Sequence, residues 1–533
     1  MAPSGHPPLG GSGAALPAAR VGAHDDWPTY LGSSERTSSS SADHSISNAT
    51  ANELVPLWSH ATGGPVASSP VIANGTVFVG SWDGYEYALN ATNGTMRWRT
   101  FLGIDPTCHF PIGITSSATV LGGVVYVGGG GGRFYALSAR NGSVAWSVLL
   151  GNTTMGYYNW ASPLIFRGSA YVGLASYCEK PRVHGALLKI DLSRHAIVGR
   201  VNTTLNGSLG GGIWSSPAID PATGRIFVTT GNPGPNASPY AEAILAITPS
   251  PFRIVDHWKV PRGSSVSDGD FGATPALFTS STGAPMVAAL NKNGNVYAWN
   301  RSALFQGPVW ATAAGPGVAP GAVGEGMYYV GTGAASVGGV PYAGSLRAYR
   351  IDDGQLNYAV GLSKPVVGAP LWVNGLVVVG AGRGLELRSA ANGTLLAAFS
   401  CAGQFASAPS VALGRLYAGC TDGSVLSWGL PLRAHASATP GTGRAPLRVA
   451  FSAVASAGVP TYTYLWSFGD GSPNVTARTT GHRYSTSGTF DATLTVTDLS
   501  GNSVQVFQTI HVALPGVASR RPLAAPPSER RPR

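Results

Sequence analysis

Short apolar runs separated by turn residues recur about every 40–50 residues along most of the chain. The two clearest copies are SSPVIANGTVFVGSWDGYEYALNATNGTMRW, from Ser68, and SSATVLGGVVYVGGGGGRFYALSARNGSVAW, from Ser116. Each predicts four strands, with an Asn-Gly turn before the last. Further copies begin at Ala161, Ser215, Ala273, near Gly321, at Gly368 and at Ser407. Because this period is typical of four-stranded propeller blades, the pattern predicts an all-β, eight-bladed β-propeller over residues 26–430.

The two ends of the repeat region complement each other. The last copy stops after three strands, whereas ELVPLWSHATGG, which contains Trp58, precedes the first copy as an orphan strand. Pairing these segments would close the ring and remove free sheet edges. Tryptophans that recur at equivalent repeat positions are expected to pack between blades rather than bind ligands. They are Trp98, Trp146, Trp258 and Trp310.

A different module follows the repeats. Residues 445–514 alternate apolar and polar positions, as the strands of a small immunoglobulin-like β-sandwich do. The Ala/Pro/Gly/Thr-rich residues 431–444 are predicted to form a linker. Residues 1–25 and the basic residues 515–533 are predicted to be disordered.

The C-terminal module resembles the PKD domain. The match rests on Trp466, Phe468-Gly469-Asp470-Gly471, His482, Tyr484, Gly488 and Thr495-Val496-Thr497-Asp498. The resemblance implies an extracellular spacer or a weak adhesion module with possible protein contacts.

Composition narrows the function classes. Charged residues make up 11% of the chain, well below the roughly 25% of an ordinary soluble domain. The net charge is +10, but Lys and Arg are scattered outside the C-terminal tail, which argues against nucleic-acid binding. The chain has no apolar stretch of about 18 residues, so no membrane span is predicted.

Several features indicate an extracellular or cell-surface protein, although no signal sequence is evident. Twelve Asn-x-Ser/Thr sequons occur, many in predicted turns, where they indicate either glycosylation or simply good turn chemistry. The four cysteines form no CxxC or CxxCH motif, which argues against zinc clusters and covalent haem and favours two disulfides. We expect Cys108 to pair with Cys178 and Cys401 with Cys420, although spacing alone does not establish the connectivity.

The repeats resemble the PQQ-binding repeat family through the phrases YEYALNATNGTMRW and RFYALSARNGSVAW. The resemblance covers residues 26–430, including the opening DDWPTYLGSSERTSSSS. It implies the propeller fold. It does not by itself imply catalysis, because non-catalytic scaffolds share these repeats.

Residues 210–301 resemble the stretch of quinoprotein alcohol dehydrogenases that builds the cofactor pocket. GGGIWSSPAIDPATGRIFVTTGNPGPNAS, from Gly210, contains Trp214 and Asn232. The resemblance implies that Trp214 lies against the flat face of the quinone PQQ. It also implies that Asn232 offers its amide oxygen to Ca²⁺, a hard cation.

Three further motifs complete the implied site. In SDGDFGATPAL, Asp270 is the preferred catalytic base and an expected metal ligand, with Asp268 as the alternative base. In NKNGNVYAWNR, Lys292 is placed to hydrogen-bond a quinone carbonyl. In YVGLASYCEKPRVHG, Glu179 is the expected calcium ligand.

These residues predict an extracellular PQQ- and calcium-dependent dehydrogenase that oxidises an alcohol or sugar hydroxyl of a small or polymeric substrate. Without CxxCH there is no c-type haem, so electrons would pass to an external acceptor. The chain also lacks the two adjacent cysteines that often form a vicinal disulfide over the cofactor in this family, and this departure counts against catalysis. The alternative is a non-catalytic propeller that serves as an extracellular binding or adhesion scaffold. In that case Trp214 packs a blade, Asn232, Asp268 and Asp270 serve turns, and Lys292 is an ordinary hairpin residue.

Overall fold

The computed structural model describes residues 26–42, 45–107, 110–179, 181–205, 208–234 and 238–515. Two compact units divide at Leu430 and Pro431. Within the described residues both units are built from strands, joined only by loops and four short 3-10 helices. The predicted all-β fold is therefore confirmed. The segments 1–25 and 515–533 lie outside the described residues, apart from Pro515.

Eight antiparallel sheets of four strands make up the described part of the first unit, which is a β-propeller. We number them in the order of the repeats. Sheet 1 contains Val71–Ala73, Thr76–Gly80, Tyr85–Asn90 and Met96–Phe101, and sheet 2 contains Thr119–Leu121, Val124–Gly128, Arg133–Ser138 and Val144–Leu149. Sheet 3 contains Leu164–Phe166, Ser169–Ser176, Ala186–Asp191 and Ala196–Asn202, and sheet 4 contains Ala218–Ile219, Ile226–Thr229, Ala243–Pro249 and Phe252–Lys259. Sheet 5 contains Ala276–Thr279, Pro285–Leu290, Asn295–Asn300 and Trp310–Ala313, and sheet 6 contains Ala322–Gly324, Met327–Thr332, Gly344–Arg350 and Leu356–Leu362. Sheet 7 contains Leu371–Val373, Leu376–Ala381, Gly384–Ser389 and Leu395–Ser400, and sheet 8 contains Ser410–Ala412, Arg415–Gly419, Ser424–Gly429 and Val55–Ala61.

Smaller elements decorate these sheets. Tyr157–Tyr158 adds to sheet 3 and Ser39–Ser40 pairs in parallel with sheet 7, while a separate hairpin follows the second strand of sheet 6. The hairpin strands are Ala335–Val337 and Val340–Tyr342, and the 3-10 helices are Ala51–Glu53, Thr153–Met155, Arg262–Ser264 and Leu304–Gln306. None of the helices in the described ranges is long and apolar enough to cross a membrane.

Sheet 8 closes the ring as the sequence predicts. Its fourth strand, Val55–Ala61, precedes the first repeat and pairs antiparallel with Ser424–Gly429 of the last one. The orphan strand thus supplies the edge that the last repeat lacks, which leaves that sheet with the same four strands as its neighbours.

Hydrogen bonds between the segments that lead into the first strands link neighbouring sheets. The backbone N–H of a residue in one sheet donates to the hydroxyl of the equivalent Ser or Thr in another sheet. The donor and acceptor residues are Ser69 and Ser117, Ser117 and Ser162, Ser162 and Ser216, Ser216 and Thr274, and Ala408 and Ser69. The recurrent Ser-Ser and Ala-Ser phrases of the repeats therefore link neighbouring sheets to one another.

The recurring tryptophans pack between sheets, as predicted. Two of them, Trp98 and Trp310, donate their indole N–H to a carbonyl in the last turn of the next sheet, that of Ala139 and Ile351 respectively. Trp58 of the closing strand makes the equivalent bond to Ala91. Trp146 stacks on His195 of sheet 3 at 4.7 Å, and Trp258 contacts Trp299 of sheet 5 at 5.3 Å. The Asn-Gly turn matters here: Gly142 has φ +71°, and a Cβ there would collide with the indole of Trp98.

The segment from Trp27 to Ser40 joins the first strands of six sheets by backbone hydrogen bonds. The bonded pairs are Trp27–Ile72, Pro28–Val120, Ser34–Ile219, Glu35–Leu277, Thr37–Val323 and Ser38–Trp372. This segment therefore ties separate blades together through its own backbone.

Arg36 anchors this segment from the inside. It is 0% exposed, and its guanidinium donates to the carbonyl oxygens of Pro217 at 3.0 Å, Pro163 at 3.1 Å and Tyr30 at 2.6 Å, and to Thr29 Oγ1 at 2.8 Å. Burial lowers the pKa of Arg36 to about 10, so it still carries its charge at neutral pH.

Glu86 is a second buried ionisable group of the propeller, and it gives a testable pH dependence. It is 0% exposed, neither carboxyl oxygen has a hydrogen-bond partner, and burial raises its pKa well above the ordinary value of 4.5. The folded protein therefore keeps a proton that the unfolded chain releases above that pH. Stability should consequently fall by about 1.4 kcal/mol per pH unit from pH 4.5 up to the folded-state pKa.

We expect Glu86→Gln to remove this loss of stability. As the pH rises from 4.5 to 7, the free energy of unfolding of the variant should therefore increase relative to that of the wild type. Urea denaturation at several pH values measures the difference. Glu325→Gln, which removes the carboxylate of an exposed turn residue, is the matched control. A difference for Glu86→Gln that does not change with pH would contradict the assignment.

The second unit consists of two packed sheets, as predicted for an immunoglobulin-like sandwich. One contains Arg433–Thr439, Leu447–Ser456 and Thr479–Tyr484; the other contains Thr442–Arg444, Ser503–Ala513, Gly488–Thr497, Thr463–Ser467 and Val475–Thr476. Trp466 and Tyr484 are 0% exposed in the core, and the Tyr484 hydroxyl donates to the Phe468 carbonyl. The aromatic motif residues Trp466, Phe468 and Tyr484 therefore belong to the core of the module.

The predicted linker over residues 431–444 is wrong. Arg433–Thr439 pairs antiparallel with Leu447–Ser456, and Thr442–Arg444 pairs in parallel with the strand that ends at Ala513. In the first of these strands small alanines alternate with polar residues, and Ala436 is buried at 2% exposure in the sandwich core. Alanine-rich composition therefore concealed an ordinary period-2 strand.

The predicted disulfide between Cys401 and Cys420 is formed, with Cα atoms 6.5 Å apart. Cys401 follows the last strand of sheet 7 and Cys420 follows the second strand of sheet 8, so the bond joins neighbouring blades. Cys108 lies outside the described residues, and with it the predicted pairing to Cys178.

Candidate functional site

A cavity of about 400 Å³ lies where loops of sheets 3, 4 and 5 meet. These loops either precede a first strand or follow a second strand, and antiparallel pairing brings both kinds to the same end of a sheet. The cavity is lined by all six residues that the sequence singles out, namely Glu179, Trp214, Asn232, Asp268, Asp270 and Lys292.

Trp214 and Asp270 form the inner part of the cavity. The indole Nε1 of Trp214 donates to Asp270 Oδ2 at 3.1 Å. Gly272 fixes the position of the indole, because a Cβ at Gly272 would collide with the Trp214 ring. Asp270 is 2% exposed, and burial raises its pKa more than the positive charge of Lys292 lowers it. A buried carboxylate with a raised pKa has the character of a general base.

Lys292 lies between the two aspartates. Its ammonium Nζ is 2.6 Å from Asp270 Oδ1, 3.0 Å from Asp268 Oδ1, and 5.0 Å from the centre of the Trp214 ring. Burial lowers the pKa of Lys292, but the two carboxylates outweigh this effect and raise it. For Asp268, burial raises the pKa, while hydrogen bonds from Asn232 and Lys292 lower it more. Lys292 and Asp268 are therefore both charged at neutral pH.

Asn232 connects the outer carboxylates. Its Nδ2 donates to Asp268 Oδ1 at 2.7 Å and to Glu179 Oε1 at 3.3 Å. Glu179 and Asp268 have φ values of 56° and 57°, a left-handed conformation that non-glycine residues rarely adopt. Two loops from different sheets therefore aim their carboxylates at one amide.

The donor chemistry of these residues fits a hard cation, which prefers carboxylate and amide oxygens. Rotation of the Asn232 amide would present its oxygen where its nitrogen now lies. Within the described residues, the oxygens of Glu179, Asp268 and Asp270 do not all lie within 4.8 Å of one another, so a single ion bound by all three would require a side-chain shift.

The charge balance and shape of the cavity also bear on an anionic quinone such as PQQ. Two cations and three carboxylates line the cavity, so one negative charge is in excess when all are ionised. A divalent or trivalent cation would reverse that sign and favour a cofactor that carries carboxylates. Gly210, Gly212 and Gly231 also line the cavity. The residues present thus fit both groups.

Three residues of the cavity wall were not predicted from the sequence, namely Trp160, Tyr177 and Arg182. The sequence does contain a signal for Trp160. WASP in repeat 3 and WSSP in repeat 4 place Trp160 and Trp214 at equivalent positions, where the other repeats carry smaller residues. Trp160 donates its Nε1 to the Ser176 carbonyl at 3.0 Å, and its ring lies 5.9 Å from that of Tyr177. The wall on the sheet 3 side is therefore aromatic.

Comparison with family models gives two matches. Residues 39–172 match the model described as outer membrane protein assembly factor BamB, and residues 434–513 match the PKD domain. The second unit is therefore a PKD domain, and the propeller carries PQQ-like repeats. No curated protein sequence matches the chain.

Solved structures with the same propeller fold include alcohol-oxidising quinoproteins. A europium-containing methanol dehydrogenase has 15% identity and a TM-score of 0.67, with 76% of this chain and 98% of that chain covered. The quinohemoprotein alcohol dehydrogenase from Comamonas testosteroni has 18% identity and a TM-score of 0.64, covering 76% and 80%. BamB from Moraxella catarrhalis has 15% identity and a TM-score of 0.51, covering 70% and 97%. At these identities the likeness shows the fold alone.

Proposed function

We propose that the protein is an extracellular dehydrogenase that uses PQQ and a bound metal ion to oxidise an alcohol or sugar hydroxyl. The observation that carries the proposal is the convergence of six residues from three sheets on one cavity. Hydrogen bonds and ion pairs link all six, which a set of unrelated turn and packing residues has no reason to form.

In this proposal Trp214 and Lys292 hold the quinone, and Glu179, Asn232 and Asp270 hold the metal. Calcium is the ion expected from the sequence. Asp268 adds a third carboxylate to the same cavity. Because higher negative charge favours trivalent ions, and a structural neighbour contains europium, a lanthanide is the second ion to test.

When bound, the quinone would supply the two-electron chemistry, by accepting the hydride of the alcohol carbon. The chain itself supplies the proton acceptor. Asp270 is placed to take the hydroxyl proton, because its buried carboxylate has a raised pKa and is oriented by Trp214 and Lys292. With no CxxCH motif in the chain for a c-type haem, electrons then leave to an external acceptor.

An extracellular location is supported by the disulfide between Cys401 and Cys420, because such bonds persist in oxidising compartments. The PKD domain supports the same location, since these domains are typically extracellular. Sequons at Asn74, Asn141 and Asn392 lie in exposed turns, where glycans could be attached.

Dye reduction tests the proposed activity. Purified protein is incubated with PQQ and either Ca²⁺ or Eu³⁺, and a redox dye is followed with a panel of short alcohols, sugars and hydroxylated polymers. We expect substrate-dependent reduction that needs both PQQ and metal. Failure of every substrate under conditions where PQQ is bound would refute the dehydrogenase but not the cofactor site.

A non-catalytic scaffold is the alternative function. It is favoured by the BamB model match over residues 39–172 and by the propeller similarity to BamB from Moraxella catarrhalis. The PKD domain would then be a second binding or spacer unit. This function predicts that PQQ and metal do not bind, which equilibrium dialysis with both components measures.

Lys292→Gln gives a pH test of the base. The charge of Lys292 holds down the pKa of Asp270, which burial alone would raise further. Activity requires deprotonated Asp270, so it rises as the pH passes through that pKa. We expect Lys292→Gln to move the acidic limb of the kcat/KM profile to higher pH. Since Lys292 also contacts the proposed quinone site, the position of the limb, not the absolute rate, is the readout.

A further inference from the structure

Arg182 bridges the loops that carry two of the proposed metal ligands. Its Nη2 and Nε lie 3.1 Å and 3.3 Å from Glu179 Oε2, while its Nη1 donates to the Pro233 carbonyl at 2.9 Å. Glu179 belongs to the loop after the second strand of sheet 3, and Pro233 directly follows Asn232 in the corresponding loop of sheet 4. One guanidinium thus fixes the distance between Glu179 and Asn232.

We propose that Arg182 is a positioning residue that assembles the cation site by holding Glu179 and Asn232 together. The inference rests on the proposed function, because it concerns the same metal site. Arg182 is itself a cation, and its charge alone would disfavour the binding of a metal ion beside it. Its ligand class is a hard, oxygen-bound cation such as Ca²⁺ or a lanthanide.

Two effects of Arg182 on metal affinity oppose each other. Its positive charge repels a cation, but its side chain is 38% exposed, so water and salt screen that repulsion. The hydrogen bonds from Arg182, in contrast, restrain Glu179. The side chain of Glu179 is 41% exposed, and its backbone has the left-handed conformation. Without the bridge, binding a metal would also have to order this side chain and its loop. The geometric effect therefore outweighs the repulsion.

Arginine is needed for this role because one planar fork reaches two acceptors in different loops. A lysine would keep the charge, but its single ammonium would lose the fork geometry. The two substitutions therefore separate charge from geometry. If geometry dominates, Arg182→Lys and Arg182→Gln both weaken metal binding. If charge dominates, Arg182→Lys binds as the wild type does and Arg182→Gln binds more tightly.

Terbium luminescence measures the affinity without any enzyme assay. Tb³⁺ is a lanthanide whose emission is sensitised by a nearby indole, and Trp214 and Trp160 both line the cavity. The full-length protein is titrated with TbCl₃, and the bound ion is then displaced with Ca²⁺ to correct for surface binding. We expect Arg182→Gln and Arg182→Lys each to raise the Kd for Tb³⁺ by about 10–100-fold.

Controls keep the result interpretable. Arg200→Gln removes an exposed arginine of sheet 3 and should leave the Kd unchanged. Thermal unfolding without added metal should be the same for the Arg182 variants and the wild type, within a few degrees. A Kd for Arg182→Gln at or below that of the wild type overturns the inference. Failure of the wild type to bind Tb³⁺ or Ca²⁺ refutes the proposed metal site itself, which is a distinguishable outcome.

Discussion

Asp270→Asn is expected to lower kcat/KM for alcohol oxidation by about 10²–10⁴-fold, the usual contribution of a general base. The substitution keeps the shape of the side chain, so the indole N–H of Trp214 still has an oxygen to bind. It removes the group that accepts the substrate proton, and it leaves Lys292 without its closest counter-charge, at 2.6 Å. The rate loss is measured with the dye assay at saturating PQQ and metal.

Asp268→Asn is the matched control for this prediction. Asp268 contacts the same lysine, but its side chain is 66% exposed and its pKa is lowered rather than raised. We expect a rate loss of less than tenfold. Because Asp270 is also a proposed metal ligand, bound PQQ and metal are quantified in both variants. Full activity of Asp270→Asn, or a larger loss of rate in Asp268→Asn than in Asp270→Asn, would show that Asp268 rather than Asp270 is the base.

Arg36→Met is expected to lower the free energy of unfolding by about 3–5 kcal/mol, the cost of breaking a buried charged network. Methionine fills a similar volume but leaves the carbonyls of Pro217 and Tyr30 without a donor, whereas the Pro163 carbonyl keeps its hydrogen bond from the Thr119 hydroxyl. Each unsatisfied buried acceptor costs about 1–3 kcal/mol. Urea denaturation followed by tryptophan fluorescence measures the loss.

Arg97→Met is the control for Arg36→Met, because Arg97 is an exposed arginine on the outermost strand of sheet 1. Its loss should change the free energy of unfolding by less than about 0.5 kcal/mol. Equal effects of the two substitutions would show that the segment from Trp27 to Ser40 does not tie the blades together as its hydrogen bonds indicate.

The propeller was predictable because each repeat carries its own turn and packing signals. The Asn-Gly turn, for example, both reverses the chain and accommodates the tryptophan of the preceding sheet, as Gly142 does for Trp98. The closing strand around Trp58 was predictable for a related reason, since a repeat with a missing strand needs a partner elsewhere. Local pattern and ring closure point to the same topology.

Other parts of the fold and site were harder to predict for physical reasons. The strand Arg433–Thr439 was missed because alanines give weak amphipathic contrast. Arg182 was missed because its importance lies in a contact with the Pro233 carbonyl of another sheet, which no local motif encodes. In the sequence Arg36 is an ordinary polar residue of a Ser-rich segment, and only its contacts with Pro163 and Pro217 of other sheets reveal that it is buried.

We propose that loops of sheets 3 to 5 form one site for a metal ion and a quinone. Crystals grown with PQQ and Eu³⁺ test this site, because europium gives an anomalous signal at its own position. We expect one strong peak in the cavity, within about 2.3–2.6 Å of oxygens from Glu179, Asn232 and Asp270, with PQQ density against the Trp214 ring. An ordered cavity without metal or quinone, from crystals containing both, would contradict it.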